Sequence, residues 1–329
     1  MALKKIGLKL YVYNGIVGSY TSSDLKYQIE KDRISSQDNI VVEVSQLIKD
    51  YIVNDFNNDY FCNAKWVSVV VDYYDEDTGA IYESNGTQIF NYLSFDGYGH
   101  FEEEINPQLS TNLLQTSDNI YLPEDVTGKL PIFAEGVGKV TIDSTDTQIT
   151  DNGNSNQKIQ YISIPANSDT ITVYDTDDTT LLRTVKVNNI CEPKFTPYKV
   201  TFVNKLGAYQ DIYFFKKTTE SFDVTDKTYK RNNIQTSTVT YSTNSGQRQR
   251  YNINGKTKIT LNTGYVKEDF NSALEELFLS ENAWIRWEGK TLPVIITSKN
   301  MTLKTVLNDK LIDYTIGFEF AFNKINNVR

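Results

Sequence analysis

Near its end the chain reads LIDYTIGFEFAF from Leu311 to Phe322, and every even position there is apolar: Ile312, Tyr314, Ile316, Phe318, Phe320 and Phe322. The odd positions include Asp313, Thr315 and Glu319. Successive side chains of a strand point to opposite faces, so this period of two predicts one long strand with six large groups on one side. A C-terminal part held in a sheet in this way suits a rigid scaffold. Composition points in the same direction: 22 Tyr and 16 Phe stand against 2 Met, and aromatic side chains pack well on a pleated surface. The expected class is mainly β, a β-rich α+β architecture of antiparallel sheets or barrels, each packed with a single helix.

At 329 residues the chain is longer than one hydrophobic core usually serves, so two or three units of about 100 to 150 residues are expected. Composition places their boundaries at 1–130, 131–192 and 193–329. In the first unit Ile6, Leu8, Leu10 and Val12 alternate on a strand. Val44, Leu47, Ile48, Tyr51 and Ile52 have helical spacing, with Ser45 as the expected cap. Trp66 to Tyr74 reads as a buried strand, turned by Asp75 to Gly79 into a return at Ala80 to Glu83.

Between about 134 and 190 the chain becomes rich in Thr, Asp, Asn and Ser. Short β runs at Lys139–Ile142, Ile159–Ile164, Thr170–Tyr174 and Leu181–Val187 predict an inserted small sandwich of immunoglobulin or fibronectin type, with Pro131 and Pro193 at its joints. The third unit opens with strands at Tyr198–Val203 and Asp211–Phe215 and resumes at Tyr251–Asn262. Val266, Phe270, Ala273, Leu274, Leu277 and Phe278 then form the apolar stripe of a helix over 266–280, with Asp269, Glu275 and Glu276 facing out. Strands at Trp284–Trp287, Leu292–Ile296 and the terminal alternation complete the order.

Chemistry is sparse. The net charge is −9 with a pI near 4.9, which repels phosphate backbones and argues against direct nucleic-acid binding. Lys227, Lys230, Arg231, Arg248 and Arg250 read as a solvated hairpin or loop. No apolar run reaches the length of about 18 residues that a membrane helix needs, and the alternating N-terminus is not a signal peptide. Cys62 and Cys191 are expected to be reduced, mostly buried thiols. One His and two distant Cys cannot make a four-ligand zinc site, and His100 has no recognisable catalytic partners.

Asp75, Glu76 and Asp77, and likewise Asp175, Asp177 and Asp178, lack the glycine and glutamate spacing of a calcium loop and read as turns. EGVGK at Glu135–Lys139 fails the phosphate-loop pattern at Phe133 and Val140. Glu102, Glu103 and Glu104 have no sequence sign of meeting across a cleft. Neither enzyme activity nor a cofactor or metal is expected. The candidate interface residues are Trp284 and Trp287, which should face opposite sides of a strand, and Val239 and Tyr241, in a polar segment with few apolar partners.

Residues 191 to 231 (CEPKFTPYKVTFVNKLGAYQDIYFFKKTTESFDVTDKTYKR) and 259 to 329, above all Tyr198–Lys216 and Asn308–Arg329, resemble a family of virion structural proteins of tailed bacteriophages and prophages. The resemblance implies a tail or baseplate component, similar to distal-tail proteins. Such a protein would be made and assembled in the host bacterial cytoplasm and located in the virion. It would form an oligomeric ring with copies of itself and with other tail or baseplate proteins, without membrane insertion. A host-surface glycan-binding adhesin module and a head-tail connector are the alternatives. On the scaffold reading, Lys217–Gln249 should include an extended hairpin that reaches a neighbouring subunit, because a lone hairpin is only marginally stable in water.

Overall fold

The computed structural model describes residues 3–34, 39–81, 86–103, 112–234, 237, 239–302 and 312–326. Glu83, Glu104 and Leu311, with residues 308–311 and 327–329 of the C-terminal stretch, lie outside them. Strands hold 48% of the residues and helices 8%, so the protein is mainly β with several antiparallel sheets. The chain divides into two compact units. One is Met1–Cys191 with Thr201–Ile212 and Asp269–Glu281; the other is Glu192–Val200, Tyr213–Glu268 and Asn282–Arg329.

The first unit begins with β1 (Leu3–Tyr13), β2 (Leu25–Asp32), helix α1 (Ser45–Lys49), β3 (Lys65–Asp75) and β4 (Thr87–Ser94). Its strands form an antiparallel sheet of order β2-β1-β3-β4. The alternation in β1 has the predicted effect: Ile6, Leu8, Leu10 and Val12 are buried with Val67, Val69 and Val71, and Ile48 and Ile52 join the same cluster. Ser45 does not cap α1. Val44 holds the cap position, and the Ser45 hydroxyl donates instead to the Glu43 carboxylate, which also takes the Ser45 N–H. Asp75 is a turn residue, its Oδ1 accepting the N–H groups of Asp77 and Thr78 at 2.8 and 2.9 Å.

Seven strands follow: β5 (Asn119–Pro123), β6 (Gly128–Phe133), β7 (Lys139–Ile142), β8 (Thr145–Gln148), β9 (Ile159–Ile164), β10 (Thr170–Tyr174) and β11 (Leu181–Ile190). Five of them make a sheet of order β5-β11-β10-β7-β8, while β6 and β9 pair separately. The larger sheet draws β5 from before residue 131 and pairs it in parallel with β11, from Asn119 opposite Lys186 to Pro123 opposite Ile190.

Strands β12 (Tyr198–Val203), β13 (Tyr209–Phe214), β14 (Thr219–Lys230), β15 (Arg248–Asn262), β16 (Ala283–Trp287), β17 (Lys290–Ile296) and β18 (Thr315–Phe320) form a sheet of order β13-β12-β16-β17-β18-β15-β14. On β18 and its flanks, Ile312, Tyr314, Ile316, Phe318 and Phe320 are buried, each 9% exposed or less. Phe322 is the exception at 45%, because β18 ends at Phe320.

Helix α2 covers Asn271–Leu279, preceded by a short 3₁₀ turn at Glu268–Phe270, and so starts later than the apolar stripe suggested. Val266 is unavailable to it: its N–H and C=O both bond to Ile312, at 2.8 and 3.0 Å. Ala273, Leu274 and Leu277 are buried as expected, but Glu276 is buried too, 2% exposed, rather than facing out. Its Oε2 accepts the Lys205 N–H at 3.3 Å, and its Oε1 has no partner. Of the thiols, Cys191 is exposed and Cys62 half-buried, so the expectation that both are mostly buried fails.

Candidate assembly interface

Among the described residues, the longest solvent-exposed stretch of regular structure lies on β14 and the first half of β15. All twelve residues of β14 are exposed, as are the first six of β15, whereas from Gly255 onward β15 alternates between buried and exposed. The change follows from what flanks β15. Lys258–Thr260 pair with β18 on one side and β14 on the other, and Leu261 and Asn262 with β18, but Arg248–Asn254 have β14 alone. The result is a two-stranded arm that continues beyond the sheet.

Thr, Val, Ile, Phe and Tyr favour this extended backbone, and the pairing runs from Thr219 opposite Thr260 to Lys230 opposite Arg248. The register shifts between Thr225 and Lys227, and Asn252 adopts a left-handed φ of 50°, which an Asn tolerates better than most residues. Such a bulge increases local twist and re-aims the side chains beyond it. Asp226 at the bulge accepts the Arg250 guanidinium at 2.9 Å, which holds its carboxyl below the usual range.

Five apolar side chains on the arm are only partly covered: Phe222, Val224, Tyr229, Tyr251 and Ile253, between 41% and 54% exposed. Tyr229 and Tyr251 meet edge to face at 5.6 Å. The outer edge of β14 closes the sheet, and a long edge strand offers its free N–H and C=O groups to another chain.

Phe222 and Val224 share a face with the residues opposite them, Thr257 and Gly255, and that face continues across Phe320 to Trp287. There Trp287, Leu292, Phe320 and Phe322, rimmed by Glu220, Glu288, Lys290 and Lys324, line a cleft of about 220 Å³. Its volume falls below the range of about 300–1,000 Å³ typical of small-molecule sites. Trp287 is fixed by stacking on Tyr198, 4.6 Å between centroids at 19°, and by an edge contact with Phe320 at 5.8 Å. The next turn, Glu288–Gly289, has φ values of 46° and 78°, as a tight type I′ hairpin connection requires.

The structure thus separates the sequence candidates. Trp287 lines the cleft, while Trp284 points to the opposite face of β16 and is buried at 8% exposure. Val239 and Tyr241 lie in the connection between β14 and β15, 95% and 69% exposed. Phe222, Val224, Tyr229, Tyr251 and Ile253 were not singled out from sequence. The alternation of Phe222 and Val224 was readable, but the bulge at Asp226 interrupts the period.

Two of the acidic candidates hold neighbouring groups. Glu103 accepts the Lys205 ammonium and the His100 N–H, and Asp177 accepts the N–H groups of Thr179 and Thr180. Among the described residues no three His, Cys, Asp or Glu side chains converge to hold a metal, and no helix is long and apolar enough to cross a membrane. No family model matches the chain, and neither a curated protein nor a solved structure matches it.

Proposed function

We propose that this chain is a virion structural protein of a tailed bacteriophage, a tail or baseplate building block that assembles with copies of itself through its β14–β15 arm. The observation that carries the reading is the arm: a twelve-residue edge strand exposed throughout, bearing half-exposed aromatic and branched side chains. An isolated two-stranded ribbon is marginal in water, so these residues gain most of their stabilisation when a second surface covers them. Obligate interfaces of this kind commonly bury about 2,000 Å² or more. The cleft beside Trp287 offers a matching hole for a bulky side chain. Lys227, Lys230, Arg231, Arg248 and Arg250 give the outer arm a positive charge on a chain whose net charge is −9, which favours an acidic neighbour such as another copy.

The test replaces Asp226–Ile253 with a two-residue Asn-Gly turn, which closes the hairpin where Thr225 faces Asn254, and compares both chains by sedimentation. The full chain is expected to form closed oligomers, and the shortened chain to keep its circular dichroism and melting temperature while sedimenting as a monomer. Equal assembly of the shortened chain would overturn the proposal.

A further inference from the structure

A second surface, within the first unit, has a different chemical character. A recess of about 470 Å³ is lined by Asn14, Phe61, Asn63, Lys65, Ser155 and Gln157. Its walls come from three distant stretches of chain, around residues 14, 62 and 156, and backbone bonds join the first to the last. Val17 N–H donates to Asn154 O and Asn156 N–H to Gly15 O, both at 2.9 Å. Asn156, 2% exposed, locks the corner with its side chain, accepting the Gly15 N–H at 3.0 Å and donating to Ala64 O at 2.7 Å.

This frame leaves a surplus of donors. Lys65 spends one N–H on the Asn14 Oδ1, at 2.8 Å, and among the described residues makes no ion pair. Burial holds its ammonium below the usual lysine range, as expected for a cation that has lost water without gaining an anion. The Asn14 and Gln157 side-chain nitrogens have no protein acceptor among the described residues, and the Ser155 hydroxyl proton is free. Asn63, 3% exposed, donates to Asn54 at 2.7 Å, and its own Oδ1 has no partner. No carboxylate lines the recess among the described residues. Phe61 and Val53, 38% and 67% exposed, supply a small apolar wall.

A cation without a counter-ion, neutral amides with free N–H groups and one exposed ring together match a ligand that carries an oxyanion, several hydroxyls and a C–H face. We infer that this recess binds an acidic saccharide, its carboxylate on Lys65 and Asn14, its hydroxyls on Gln157, Ser155 and Asn63, and its ring face against Phe61. The site does not depend on the arm, so it stands or falls separately from the assembly role.

The probe is glucuronate, titrated by calorimetry into the full chain beside glucose and inorganic phosphate. Glucuronate should saturate one site per chain, with glucose at least tenfold weaker and phosphate weaker than glucuronate. Lys65→Gln keeps a donor for Asn14 and should lose at least tenfold in affinity at an unchanged melting temperature, whereas Lys186→Gln, an exposed lysine on the same unit, should bind as the parent does. If Lys65→Gln fails to fold, Gln157→Ala, at an exposed position, should weaken binding several-fold. Glucuronate should also slow alkylation of Cys62, which lines the recess, and leave that of Cys191 unchanged. Absence of saturation, equal binding of glucose, phosphate competing as well as glucuronate, or full affinity in both variants would overturn the inference.

Discussion

The ring of Phe222 lies over Gly255, in the space where a Cβ would stand: a methyl group at 255 would collide with the far edge of that ring. The pair sits at the root of the arm, just beyond the residues of β15 that pair with β18.

Gly255→Ala should therefore turn the Phe222 ring outward. The ring is 54% exposed and can move, so the cost to folding should stay below about 1 kcal/mol, under the range for overpacking a closed core. Assembly should weaken far more than stability. Sedimentation equilibrium beside thermal melting checks this, and an unchanged association constant would show that the position of Phe222 is irrelevant to assembly.

Glu276 makes stability depend on pH. Burial is the main cause that lifts its pKa to about 7 from an ordinary 4.5, opposed by the Lys205 N–H and the charges of Lys205 and Arg183, and reinforced by Glu275. Below pH 4.5 both folded and unfolded chains carry the proton. Between 4.5 and 7 the unfolded chain releases it while the folded chain keeps it, so this group's contribution to stability falls as pH rises, by up to about 3 kcal/mol, and then levels off. Glu276→Gln should remove that slope and be the more stable protein at pH 8. Urea unfolding at pH 5 and 8 checks the sign, and a variant less stable than the parent at pH 8 would contradict it.

Trp287→Ala removes the stack on Tyr198 and the edge contact with Phe320. For a half-buried indole the expected loss is about 2 kcal/mol, below the range for a fully buried Trp. Calorimetry should show a lower melting temperature. Trp287→Phe, which keeps a ring in the cleft, should recover part of it.

Where a strand has one buried and one wet face, its position was legible from sequence. Lys139–Ile142 and Thr170–Tyr174 are strands with the ends their alternation suggested, and Ile159–Ile164 and Tyr198–Val203 also have the expected ends, although the latter buries both faces from Val200 to Val203. β4 carries no readable pattern because its residues from Thr87 to Tyr92 are all exposed, so no face selects apolar side chains. The parallel pairing of β5 with β11 is a tertiary choice between segments more than 60 residues apart, which no local pattern encodes. Glu276 misled for a related reason: its helix buries more than the apolar stripe, and a backbone N–H from Lys205 takes part of the charge. The arm matches the extended hairpin expected in Lys217–Gln249, but its apolar side chains are not legible, since the bulge at Asp226 interrupts their period.

Amide hydrogen exchange of β14, in dilute monomer and in the assembled protein, reads the arm itself. If the arm is an intersubunit contact, the outward-facing amides of Thr225–Lys230 should exchange at least 100-fold more slowly on assembly. Equal exchange in the two states, or a chain that stays monomeric at every concentration, would contradict it.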